Sequence, residues 1–218
     1  MGDNFDAPAG AATNTAIGRG KSGGGAEASA AGREDDALMA AFIAGSSDAF
    51  DQLFESYKQP LFGFFWRRVG ERGLAEELTQ DTFVAVIRAA RRYRPQATFR
   101  AWLFAIAFRI LRAHRRRAAF RATFFGSPPA HQEPASNSSL EAQLLVREAL
   151  GKLDRIDREI LLLREFEQLS YDEIAGVLGA AVNTVRSRLF RARQALREVL
   201  SASAPAAVAA LKTQEEHP

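Results

Sequence analysis

From Glu34 onward, apolar residues return every three or four positions, the spacing of an amphipathic helix. Leu38, Ala41 and Phe42 form a short apolar face behind Asp35 and Asp36, where acids favour a helix start, and Gly45 stops it. Ser47 is placed to cap a longer helix carrying Phe50, Leu53, Phe54 and Tyr57; Pro60 should break or kink it before Leu61, Phe64 and Phe65 resume the pattern. A turn at 70–73 leads to a helix over Leu74–Arg92, in which Leu74, Leu78, Thr82 and Val86 form one stripe and Phe83, Ile87 and Ala90 a second. An apolar arc this wide must be deeply buried or must also face a partner, which draws attention to the polar shoulder of Glu76, Glu77, Gln80 and Asp81. Pro95 ends that helix. The next covers Phe99–Arg117, with Phe99, Trp102, Leu103, Ile106 and Ile110 facing the core. Periodicity lapses over 118–139, which contains Pro128, Pro129 and Pro134, then returns over 140–150 and again at Ile156, Ile160 and Leu163.

Nothing alternates with period two for long enough to make a sheet, so the pattern predicts an all-α protein. Its expected organisation is two small helical domains, 34–117 and 140–200, joined by a flexible linker over 118–139. The stretches 1–33 and 201–218 are expected to be disordered, since they offer too little large apolar surface to offset ordering entropy.

The most informative stretch is Leu169–Arg197. Ser170 and Glu173 make a capping box ahead of Ile174, Ala175 and Leu178, and Gly179 closes a first short helix. A second helix starts near Asn183, and Val185, Leu189, Ala192 and Leu196 form its narrow apolar stripe. Its remaining face holds Arg186, Arg188, Arg191, Arg193 and Arg197, with no acid before Glu198. An exposed, acid-free basic helix after a tight turn has what a DNA recognition helix needs: residues near its start to reach base edges and flanking arginines for phosphates.

Charge segregation adds a second basic element. The net charge is only +3, yet Phe99–Arg121 contains seven arginines and no acid. Arg109, Arg112 and Arg116 align on one stripe that Trp102 continues, an arrangement suited to a separated strand whose phosphates meet guanidinium groups and whose bases meet an indole. There is no cysteine, and the three histidines are scattered, so no metal ligand set, cofactor or thiol nucleophile is expected. No stretch approaches the ~18 consecutive apolar residues of a membrane span, and no secretory leader pattern opens the chain. The expected setting is the cytoplasm, without membrane contact.

These motifs resemble the bacterial extracytoplasmic-function (ECF) sigma factors of the sigma-70 family. DAFDQLFESY at 48–57, AEELTQDTFVAVIRAARRY at 75–93 and FRAWLFAIAFRILRAHRRR at 99–117 are similar to that family's region 2. LLLREFEQLSYDEIAGVLGAAVNTVRSRLFRARQALR at 161–197 is similar to its region 4. The resemblance implies that Glu77, Gln80, Asp81 and Phe83 meet the clamp helices of the largest subunit of core RNA polymerase. It implies that Arg94, Thr98, Arg100, Trp102, Arg109, Arg112 and Arg116 engage and open the −10 element. Thr184, Arg186, Ser187, Arg188, Phe190 and Arg191 would lie on the −35 element of promoter DNA. The linker would run through polymerase toward the RNA exit path; the polymerase flap and an anti-sigma factor are further implied partners. Arg109 and Ala113 stand where the family usually has Asn and Asp, and Leu153–Asp154 replaces its Leu-Pro.

Two other classes compete. A stand-alone helix-turn-helix regulator would need a receiver or ligand domain upstream, and 35–117 shows neither a parallel-sheet pattern nor a pocket signature. An enzyme would need a nucleophile–base set, and no such set is evident. Promoter binding only in the presence of core polymerase separates the first reading from the regulator.

Overall fold

The computed structural model describes residues 24–94, 97–125 and 149–214, with side chains described over 32–94, 97–122 and 149–198. All regular structure among the described residues is helical. The first half contains α1 (Gly24–Ile43), α2 (Ser47–Val69), α3 (Arg72–Ala89), a 3-10 turn (Ala90–Arg92) and α4 (Phe99–Phe125). The second contains α5 (Arg155–Glu165), α6 (Tyr171–Leu178) and α7 (Val182–Gln214). The expected linker from 126 onward, and the expected tail before 24, lie outside the described residues.

Sequence chemistry explains most boundaries. Ser46, one residue earlier than expected, accepts the Ala49 N–H at 3.3 Å to start α2. Gly70 ends it at φ 73°, where its N–H reaches the Trp66 carbonyl at 3.0 Å. Pro60 sits inside α2, which runs on through it. A proline inside a helix, through its missing hydrogen bond and its ring's clash with the preceding turn, costs roughly 3 kcal/mol, whereas burying Leu61, Phe64 and Phe65 contributes ~1.5–3 kcal/mol each. Packing wins.

Three helices run longer than the pattern predicts. α1 begins at Gly24, so Asp35 and Asp36 lie within it rather than at its start. α4 continues past Arg117 to Phe125, and α7 continues past Leu200 to Gln214. Ala-rich segments need no apolar periodicity to propagate an existing helix, because propensity suffices once nucleation is done.

The two expected domains pack together. Leu53, Tyr57, Phe64, Phe99, Leu103 and Phe104 of the first half join Ile160, Leu163, Leu169, Ile174 and Val185 of the second in one hydrophobic cluster. The principal contact between halves is α4 against the short α6.

Candidate nucleic-acid and polymerase interface

The helix-turn-helix is built locally. The Ser170 side chain accepts the Glu173 N–H at 3.2 Å, and Glu173 accepts the Ser170 N–H at 2.8 Å, completing the expected capping box. Gly179 takes φ 67°, which turns the chain out of α6. Val185, Leu189 and Ala192 are buried, and that fixes which side of α7 remains outside. Thr184, Arg186, Ser187, Phe190 and Arg191 lie on that outer side, with Phe190 65% exposed. Arg188 is diverted: its guanidinium bonds Asp157 at 2.8 Å and Asp154 at 3.4 Å, at the start of α5. Arg193 is likewise held by Glu165 at 2.6 Å.

On α3, Glu77, Gln80 and Asp81 are exposed. Helical spacing places them on one stripe with Val84 and Ile87, which are 42% and 49% exposed. Most of the apolar arc is therefore core; of its members Ile87 faces out beside the polar shoulder, together with Val84, which lies outside the arc. Phe83 belongs to the core. It is 5% exposed, and its ring lies 4.7 Å from that of Phe54 and 6.2 Å from that of Phe50. Phe83, expected among the polymerase-facing residues, is thus packed beneath the exposed α3 stripe in this structure.

The −10 set divides into three groups. Arg94, Arg112 and Arg116 are exposed. Trp102 is half-buried, its ring 5.0 Å from Tyr93 and 6.0 Å from Phe99. Arg109 is also partly covered, and burial lowers its pKa from the ordinary arginine value. Thr98 and Arg100 face the second half of the molecule. The Thr98 hydroxyl donates to Glu173, and Arg100 Nε donates to the Glu167 carbonyl at 3.0 Å.

Two carboxylates absent from the expected site hold its frame. Asp36 Oδ1 accepts the Phe99 N–H at 2.9 Å and also the Tyr93 hydroxyl, so α1 caps the start of α4 from across the domain. Its neighbour Asp35 accepts the Tyr57 hydroxyl. Burial raises the pKa of Asp35, and burial with the adjacent carboxylates raises those of both tyrosines. The only hint of this in the sequence is the pair of adjacent acids, which reads as a helix start.

Between the halves lies a cluster of charges. Arg68 Nε bonds Glu159 at 2.7 Å, Arg115 Nη1 bonds Glu159 at 2.9 Å, and Arg67 Nη2 bonds Glu167 at 2.8 Å. The side chains of Arg68, Glu159 and Glu167 are 1%, 5% and 1% exposed. Burial by itself would raise Glu159, but Arg68 and Arg115 outweigh it and keep its pKa below the ordinary glutamate value. Arg67 also stacks on Phe166, 4.3 Å from the ring centroid.

An all-α pair of modules, the second a helix-turn-helix with an exposed basic helix and the first carrying a polar–apolar stripe beside a basic helix, defines a sigma-70-type factor. A model of sigma-70 region 2 matches residues 53–121, and one of sigma-70 region 4 matches 143–196. The chain is 36% identical over 167 residues to the RNA polymerase sigma factor CarQ of Myxococcus xanthus, covering 74% of this chain and 95% of that protein. It is 32% identical over 169 residues to the ECF RNA polymerase sigma factor SigC of Mycobacterium tuberculosis, covering 75% and 91%. Its fold is similar to that of the sigma factor RpoE in complex with the anti-sigma factor NepR from Bartonella quintana, at 28% identity and a TM-score of 0.60, covering 70% and 96%. The chain belongs to the ECF sigma factors of the sigma-70 family, which are transcription initiation factors. Among the described residues no helix is long and apolar enough to cross a membrane.

Proposed function

We propose that this sigma factor binds core RNA polymerase through the α3 stripe, opens the −10 element with region 2 and reads the −35 element with α7. The observation that carries this is the outer side of α7, where Arg186, Ser187, Phe190 and Arg191 stand exposed while Arg188 and Arg193 are tied to acids of α5. Base reading therefore rests on the first pair of arginines and not on Arg188. Glu77, Gln80 and Asp81, with Val84 and Ile87, form the surface for the clamp helices; Phe83 supports it from beneath. An apolar groove lined by Leu150, Leu161, Leu162, Phe166 and Leu196 favours a helix-sized apolar partner on region 4, the role given to the polymerase flap. The factor has no chemistry of its own, acts in the cytoplasm and is held in check by an anti-sigma factor, as RpoE is paired with NepR.

Run-off transcription with purified core polymerase on genomic fragments tests the reading. Transcripts should begin at defined promoters only when this chain is added. Specific promoter binding without polymerase, and no transcript with it, would return the protein to the stand-alone regulators. Asp81→Arg should abolish core binding while leaving helicity unchanged; unaltered affinity would remove the α3 assignment.

A further inference from the structure

Helix α4 outruns the core that holds it. Its buried face, formed by Leu103, Phe104, Ile106, Ala107 and Leu111, ends at Leu111, and from Arg112 to Ala122 no residue of the helix is buried. These turns form an arm that projects from region 2. The arm carries Arg112, Arg115, Arg116, Arg117 and Arg121 and no acid. Near its end stands Phe120, 62% exposed.

A single exposed ring needs no explanation by itself. The register of this one does. Eighteen residues separate Trp102 from Phe120, which is about five whole turns, so the two aromatic side chains fall on one line along some 27 Å of helix. Arg109 and Arg116 lie close to the same line between them. It runs along the side of α4 away from Arg100 and Arg115, which reach into the seam between the halves. Beside Trp102 the line is narrow, because the neighbouring Leu103 and Ile106 are buried. At Phe120 it is broad. Arg116 lies roughly 40° to one side of the ring, Arg117 and Arg121 lie roughly 60° and 100° to the other, and all three are exposed.

One row of arginines suits one strand; arginines on both sides of an apolar tip suit two. The major groove of a duplex admits an α-helix and has a phosphate backbone on each side. An acid-free arm with guanidinium groups on both flanks can meet both backbones. The ring between them can then meet the apolar feature of the groove floor, the thymine methyl. A separated strand offers a single row of phosphates and would leave one flank of the arm unused.

We propose that the projecting end of α4 is a duplex-DNA site adjoining the strand-opening stripe. In it Phe120 packs on a thymine methyl in the major groove upstream of the opened segment, and Arg116, Arg117 and Arg121 hold the flanking phosphates. The chain leads from the end of α4 toward the half that reads the −35 element, which puts the arm on the upstream side of the fork. At 3.4 Å per base pair, the ~27 Å between Trp102 and Phe120 places the thymine within about eight base pairs of that fork. The inference rests on Trp102 and its arginines being the strand-opening part of region 2.

The test uses holoenzyme assembled from core polymerase and the full chain, on a fluorescein-labelled promoter duplex. The roughly eight base pairs upstream of the opened segment are made all A·T, so that each position carries a thymine on one strand or the other. Replacing each thymine in turn by deoxyuridine removes the methyl alone. One position, or two adjacent ones, should weaken binding by the natural chain about fourfold, the worth of one buried methyl-sized group. Phe120→Ala should bind the parent duplex at least about fourfold more weakly and be indifferent to every replacement. Phe120→Leu keeps an apolar tip and should retain most of the methyl dependence. Arg117→Ala with Arg121→Ala should leave that dependence in place and lower the slope of log K against log salt by roughly 0.9 for each duplex phosphate no longer neutralised.

The proposal falls if the natural chain ignores the methyl at every position, or if Phe120→Ala still senses it. It also falls if Phe120→Ala loses as much on a template unpaired over the same segment, which would mean that the ring stacks on an open base. The methyl scan of the natural chain requires no variant to fold. Failure of the strand-opening reading is seen separately, by permanganate reactivity of the unpaired −10 thymines: Trp102→Ala would open the promoter as well as the natural chain does.

Discussion

Replacing Asp36 with Ala isolates the bond by which α1 organises region 2. Two donors lose their acceptor at once. The Phe99 N–H, at 2.9 Å from Asp36, is one of the orphan donors at the start of α4, and removal of such a cap costs about 1 kcal/mol. The Tyr93 hydroxyl, on a residue 6% exposed, is left with the Ala97 carbonyl at 3.4 Å as a poor alternative, which adds ~1–3 kcal/mol. The total is about 2–4 kcal/mol, with the Ala97 carbonyl drawing it toward the lower end. Asp36→Asn keeps an oxygen acceptor and should cost about 1 kcal/mol. Urea unfolding followed by tryptophan fluorescence is well matched to the question, because both tryptophans, Trp66 and Trp102, lie in region 2 and Trp102 packs on Tyr93. With a slope of ~2 kcal/mol per molar urea, the Ala variant should lose about 1 M or more from its midpoint. Tyr93→Phe completes a double-mutant cycle with Asp36→Ala, and the coupling should be about 1 kcal/mol. If Ala and Asn variants both lie within ~0.5 kcal/mol of the natural chain, or the cycle shows no coupling, Asp36 is not the shared acceptor on which this reasoning depends.

Other expectations follow from single interactions. Arg186→Ala or Arg191→Ala should each cost ~1–3 kcal/mol of −35 binding if the side chain reads a base, while Arg188→Ala should change it far less; fluorescence anisotropy with duplex DNA and holoenzyme distinguishes them, and an equal effect at Arg188 refutes the diversion to Asp157. Ser170→Ala should reduce unfolding stability by about 1 kcal/mol through removal of the cap on α6, measured by circular dichroism in urea. Glu159 has a folded pKa below its ordinary value, so its contribution to stability is complete above pH 4.5 and disappears as pH falls through the lowered value. Glu159→Gln should flatten the stability–pH curve below pH 4.5, and parallel curves for variant and natural chain would contradict that assignment.

What can be read from the chain alone follows the range of the interactions involved. The capping box at Ser170, the exit at Gly179 and the buried stripe of α7 depend on residues within a few positions of one another, and all three are legible. The place of Phe83 is not, because membership of an amphipathic helix does not say on which side of the arc a residue falls. The role of Asp36 is hidden because the Phe99 and Tyr93 groups it serves are 63 and 57 positions away. The seam is less legible still: Glu159 and Glu167 look like ordinary helix and loop acids, and their arginines lie 91 and 100 positions earlier. Arg188 looks like part of one basic face until the fold brings the start of α5 beside it.

Glu173 occupies an unusual junction. One of its oxygens completes the capping box of α6, and the other receives the hydroxyl of Thr98, which in turn accepts the Ala101 N–H at the start of α4. The beginnings of two helices, one in each half, are thereby joined through two side chains. Whatever displaces Thr98 from this chain of bonds alters the surroundings of the α6 cap, and whatever reorients α6 releases Thr98. Thermodynamic linkage makes such an influence symmetrical: a ligand on one half that favours separation must be bound more tightly, by the same factor, when the other half has already been drawn away. An event at the start of either helix would then be felt at the start of the other through two side chains alone.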